Sequence, residues 1–133
     1  MKIEDIEGIG KKYGQKLREH GVGSVEKLLE RGGTRKGRET IAKDFDLSPK
    51  RVLEWVNRAD LFRVRGVGEE YSDLLEAGGI DSVVELSKRK PENLCEKLRE
   101  INDQKKLVRR APGLKMCEKW VAHAKELPRA VSH

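Results

Sequence analysis

His20, His123 and His133 are the side chains of this 133-residue chain best suited to proton transfer or metal binding, yet their spacing fits neither role. No pair has the HExxH arrangement that sets two imidazoles on one helix face, and no carboxylate or cysteine completes a ligand set. His20 stands before Gly21, where a helix C-terminus favours a partial positive charge. Cys95 and Cys117 lie 22 residues apart without CxxC spacing, and are expected as small apolar core residues in a reducing compartment. No GxxxxGK[ST] loop occurs, so there is no nucleotide cradle of that kind. Asp and Glu are abundant but alternate with Lys and Arg, as on solvated helix faces. The chain is therefore expected to be no enzyme and to carry no cofactor and no metal.

Charge directs attention to a polyanion instead. Lys and Arg number 29 against 23 Asp and Glu, a formal charge of +6, with a pI near 9.4. Nucleic acid is the first partner such a balance suggests. The excess is uneven: residues 35–58 carry +3, 59–87 carry −5 and 88–115 carry +6. The basic candidates for a contact surface are Arg35, Lys36, Arg38, Lys88, Arg89, Lys90, Lys105, Lys106, Arg109 and Arg110. The opposing reading is that basic runs in helical proteins are usually solvated faces. No window reaches the length of a membrane-spanning helix, and the start MKIEDIEGIG lacks a signal-peptide pattern. A cytoplasmic location is expected, with no membrane partner and no small-molecule substrate.

The elements that would position these side chains come in two copies. Ile6-Glu7-Gly8-Ile9-Gly10-Lys11-Lys12-Tyr13 matches Val64-Arg65-Gly66-Val67-Gly68-Glu69-Glu70-Tyr71 at an offset of 58. The same offset pairs Leu17 with Leu75, Gly21 with Gly79, Ser24 with Ser82 and Leu28 with Leu86. Further on, Trp55-Val56 pairs with Trp120-Val121 at an offset of 65, so the second copy carries about seven extra residues. The sequence is a duplication. Copy one is placed at 1–59, copy two at 60–126, and 127–133 as a tail expected to fray.

Within copy one, Ile3, Ile6, Ile9, Tyr13 and Leu17 recur at helical spacing, interrupted by Gly8 and Gly10. That pattern predicts a short helix, a Gly-Ile-Gly turn with Ile9 pointing inward, and a helix over about Lys11–His20. Ser24 is expected to cap a helix over Val25–Arg31, and Ser48-Pro49 to open one reaching Ala59. Other helices are predicted near Arg38–Asp44, Pro91–Ile101, Gln104–Arg109 and Gly113–Glu126. No segment alternates as a strand does. The fold class is all-α: two repeats of about five to six short helices each, packed as one compact body. Trp55 and Trp120 are expected to pack in the repeat cores, and Tyr13 and Tyr71 to be buried or half-buried.

Ile3, Ile6, Gly8, Ile9, Gly10, Gly14 and Leu17, and again Leu61, Val64, Gly66, Val67, Gly68, Ser72 and Leu75, follow a pattern that resembles the helix-hairpin-helix motif. Two hits at matching positions of a duplication make the resemblance specific. Over nearly all of 1–126, including Trp55-Val56-Asn57 through Gly68, the chain also resembles an uncharacterised, mostly bacterial family of paired hairpins. The motif implies binding of the nucleic-acid backbone without sequence preference, duplex DNA above all, and in some proteins a monovalent cation on the turn. Carried over by position, the contact groups are Gly8, Ile9 and Gly10 with Lys11 and Lys12, where backbone N–H groups at a helix start meet phosphate. The second turn is Gly66, Val67 and Gly68, preceded by Arg63 and Arg65 but followed by Glu69 and Glu70, which repel phosphate. The rival reading is a protein–protein adaptor whose hairpins are architectural and whose acidic 59–87 face docks a partner.

Overall fold

The computed structural model describes residues 2–133 and is all-helical: among these residues there is no strand, only an isolated bridge between Lys2 and Ser24. A single 3-10 turn, Ile3–Asp5, precedes eight α-helices: α1 Gly10–Glu19, α2 Val25–Gly32, α3 Arg35–Phe45, α4 Pro49–Leu61, α5 Glu69–Ala77, α6 Val83–Ser87, α7 Pro91–Lys105 and α8 Leu114–Glu126. Short polar side chains set several starts. Ser24, Thr34, Ser48 and Ser82 accept from the backbone N–H of Lys27, Gly37, Arg51 and Glu85 at 3.0–3.2 Å, each satisfying a donor that a helix start leaves unpaired.

The chain divides into two compact units. Unit 1 comprises residues 1–60 together with Arg129–His133, and unit 2 comprises Leu61–Pro128. In unit 1, Ile3, Ile6, Ile9, Leu17, Leu28, Val52, Trp55 and Val56 are buried, and α2 packs on α3. In unit 2, Leu61, Val64, Leu74, Leu75, Ile80, Leu86, Leu98, Cys117 and Trp120 belong to one apolar core, and α8 packs against α6 and α7. Aliphatic burial carries both cores. Each tryptophan meets the tyrosine of its own copy: Tyr13–Trp55 with ring centroids 5.5 Å apart, Tyr71–Trp120 at 5.2 Å.

Three expectations are corrected. No helix forms over Gln104–Arg109: α7 runs on to Lys105, and Lys106 ends it in the left-handed conformation at φ 54°. Asp46 ends α3 with the same φ of 54°, an offset of 60, so five of the extra residues in the second copy fall in the connection before α8. The helix number also differs, with one 3-10 turn and four α-helices in unit 1 and four α-helices in unit 2. Residues 129–133 do not fray from unit 1. Ser132 N–H donates to Gly33 O at 2.9 Å, Val131 is buried, and His133 Nε2 lies 3.0 Å from Asn57 Oδ1.

Candidate functional site

The first glycine turn is shaped by two positive dihedrals. Gly8 has φ 91° and Gly10 φ 62°, a region that L side chains adopt at a cost. Ile9, between them, is 2% exposed and anchors the turn to the core. The chain then enters α1 at Gly10 with no side-chain cap and no acidic residue in its first turn. Lys11 and Lys12 stand exposed beside those backbone N–H groups. Among the described residues neither makes an ion pair, whereas Arg18, one turn and a half further on, grips Glu4 through both terminal nitrogens. The result is an uncapped, positively polarised helix start flanked by two free ammonium groups.

The second turn repeats the first at its leading glycine and buried apolar residue, departs from it at the second glycine, and carries acidic residues where the first has lysines. Gly66 repeats the positive φ at 89°, and Val67 is buried at 4% exposure. Gly68 is extended, at φ −98°, and α5 opens with Glu69 and Glu70, whose carboxylates complement its dipole. The positive groups stand on the other side of the turn. Arg65, Lys115 and Lys119 line a cleft of about 630 Å³ with Met116, Trp120 and His123. Arg65 N–H donates to His123 Nδ1 at 2.9 Å, which places the imidazole proton of the neutral ring on Nε2. The copy-one counterparts of Arg65 and Lys119 are Glu7 and Glu54. Lys115 corresponds to Lys50, so a flanking cation is present in both copies, whereas the helix start carries lysines in the first and glutamates in the second.

The remaining sequence candidates separate into free and engaged groups. Arg38 is 4% exposed and donates to the carbonyls of Gly32, Gly33 and Ser132; it is a structural strut and leaves the candidate surface. Arg63 donates to Pro128 O at 2.6 Å, Arg89 pairs with Glu85 at 2.9 Å, and Arg35 stands 3.8 Å from Glu39. Lys36, Lys88, Lys90, Lys105, Lys106, Arg109 and Arg110 are exposed. Sequence reasoning missed Lys115 and Lys119, although their i, i+4 spacing sets them on one face of a helix. It also missed Asn102, whose buried side chain gives no sign of its role until the loop beyond it is seen.

Cys95 and Cys117 are both free and buried. Burial, followed by the neighbouring Cys95, pushes the Cys117 thiol up to about 12, so it remains protonated and a poor nucleophile. Among the described residues no three His, Cys, Asp or Glu side chains converge as a metal site, and no helix is long and apolar enough to cross a membrane.

Fold and site together define an all-helical protein with duplicated glycine turns, one bearing lysines and the other glutamates. A family model described as a domain of unknown function (DUF4332) matches residues 7–127, and the chain belongs to that family. No curated protein matches it, and no solved structure does either.

Proposed function

We propose that this chain is a non-catalytic nucleic-acid-binding protein built of two helix-hairpin-helix units, holding the phosphate backbone without reading bases. The observation that carries the proposal is the start of α1, uncapped by any side chain and bordered by the unpaired Lys11 and Lys12. Backbone N–H groups at such a start accept an anion along the helix dipole, and adjacent ammonium groups add counterion-releasing contacts. The glycines bring the backbone close enough for both. Phosphate contacts of this kind position a protein on nucleic acid without conveying sequence.

The adaptor reading draws less support. A docking face needs exposed apolar anchors within its polar rim, but the large hydrophobic residues that are exposed, Leu107, Leu114 and Met116, lie outside the acidic stretch 59–87. Replacing both lysines, Lys11→Glu with Lys12→Glu, tests the preferred reading. It should weaken binding of DNA or RNA at least about tenfold and reduce the salt dependence by about one to two phosphate contacts, with helicity unchanged. Unchanged affinity would remove the first turn from the account.

A further inference from the structure

The loop joining α7 to α8 has no equivalent in copy one, where only Leu47 and Ser48 separate the left-handed Asp46 from α4. It is far from loose. Asn102, 8% exposed, donates from Nδ2 to Val108 O at 3.0 Å and accepts from Val108 N–H at 2.9 Å. One side chain thus satisfies both backbone groups of a residue six positions on. Val108 itself is buried at 7% exposure. Tyr71 Oη donates to Arg110 O at 3.4 Å, and Cys95 Sγ reaches Pro112 O at 3.5 Å. With its backbone tied inward at Val108, Arg110 and Pro112, the segment turns Lys105, Lys106, Arg109 and Arg110 outward. All four are exposed, and among the described residues none makes an ion pair.

A basic run that served solubility alone would need no such anchoring. Ordering a loop before binding removes the entropy cost that a flexible lysine- and arginine-rich segment meets on contact. Four unpaired cations on a fixed backbone offer several contacts to a phosphodiester chain, and guanidinium groups suit bidentate contacts with phosphate oxygens. Unit 2 also has reason to need a substitute, since Glu69 and Glu70 occupy the start of α5 that in unit 1 is lined by lysines.

We propose that Lys105–Arg110 is a pre-ordered phosphodiester clamp, held in shape by Asn102, which replaces the glycine turn as the nucleic-acid contact of unit 2. The inference rests on the nucleic-acid reading above, and the following experiment separates the two. Twenty-nucleotide duplex and single-stranded DNA and RNA are titrated with the full chain, and the tightest-binding form is carried forward. Arg109→Gln with Arg110→Gln removes charge without touching the core. It should weaken binding about tenfold at 50 mM salt and lower the salt slope by about one to two, while Arg109→Lys with Arg110→Lys retains most of that slope. Asn102→Ala keeps every cation but releases Val108, and should weaken binding about three- to tenfold. Its circular dichroism and melting are checked first; should unit 2 unfold, the arginine variants decide.

Wild-type binding that survives Arg109→Gln with Arg110→Gln unchanged, yet is lost on charge reversal at Lys11 and Lys12, overturns the clamp and leaves the first turn standing. Full affinity in a folded Asn102→Ala variant overturns the pre-ordering. No binding of any form by the wild type overturns both.

Discussion

The indole Nε1 of Trp120 lies 3.2 Å from the point where a Cβ on Gly66 would stand, and Trp55 meets Gly8 in the same way at 3.3 Å. A tryptophan from the last helix of each unit therefore closes over the first glycine of its turn, 47 residues back in copy one and 54 in copy two. A methyl group at either glycine meets both a positive φ and this indole. Gly8→Ala and Gly66→Ala should each cost about 1–3 kcal/mol. Urea unfolding read by tryptophan fluorescence checks this, since each indole reports on its own turn.

Arg38 and the last five residues form a second dependency. The guanidinium holds three backbone carbonyls of unit 1, one of them Ser132 O. Gly33 leaves room for the passing chain: a Cβ there would stand 2.6 Å from Ala130 O. Removing 129–133 uncovers this arrangement, and Arg38→Ala withdraws the guanidinium from the carbonyls of Gly32 and Ser132, while Gly33 O keeps the Ser132 N–H. Each change should destabilise the protein by about 1–3 kcal/mol, visible as a lower melting temperature. An unaltered melting curve after truncation would show that the tail adds nothing.

Cys117 gives a pH dependence of definite sign. Its folded thiol is raised from an ordinary 9.0 to about 12, so its contribution to stability is complete below pH 9 and is lost as pH rises towards 12. The wild type should lose stability over that interval by more than Cys117→Ala does, the difference isolating this thiol from lysine and tyrosine titration. At pH 8 both cysteines should resist a thiol reagent in the native protein and react promptly in denaturant. Rapid labelling of the native chain would contradict the burial.

The Glu4–Arg18 pair behaves in the opposite direction. Hydrogen bonding from Arg18 holds the Glu4 carboxyl below its ordinary 4.5. Its contribution is present above that value and disappears as pH falls through the lowered one. Glu4→Gln should therefore flatten the loss of stability on acidification below the ordinary 4.5, measured as midpoint against pH. The pair lies across Gly14, where a Cβ would stand 2.7 Å from Glu4 Cγ; the corresponding Ser72 is buried in copy two.

The duplication, the caps at Ser24, Ser48 and Ser82, the inward Ile9 and Val67 and the paired tryptophans were legible because each follows from local periodicity or repetition. Arg38 misled because a guanidinium buried by carbonyls from residues 32, 33 and 132 has the same sequence signature as an exposed one. The segment after Ile101 misled for a related reason: its helical composition is overruled by Asn102, which bonds Val108 across a left-handed Lys106. The tail was misjudged because its partner, Gly33, stands 99 residues away from Ser132. At the candidate site, Lys11 and Lys12 could be placed by position, whereas the cleft of Arg65, Lys115 and Lys119 required the packing of α8 beside the second turn.

The deciding measurement is binding of labelled duplex and single-stranded DNA and RNA at about 50 and 200 mM salt. A phosphate-holding protein gives binding that ignores base sequence and falls about tenfold or more between the two conditions, as release of several counterions requires. Absence of binding to every form at the lower salt, or affinity that does not change with salt, would contradict a phosphate-holding function for these turns.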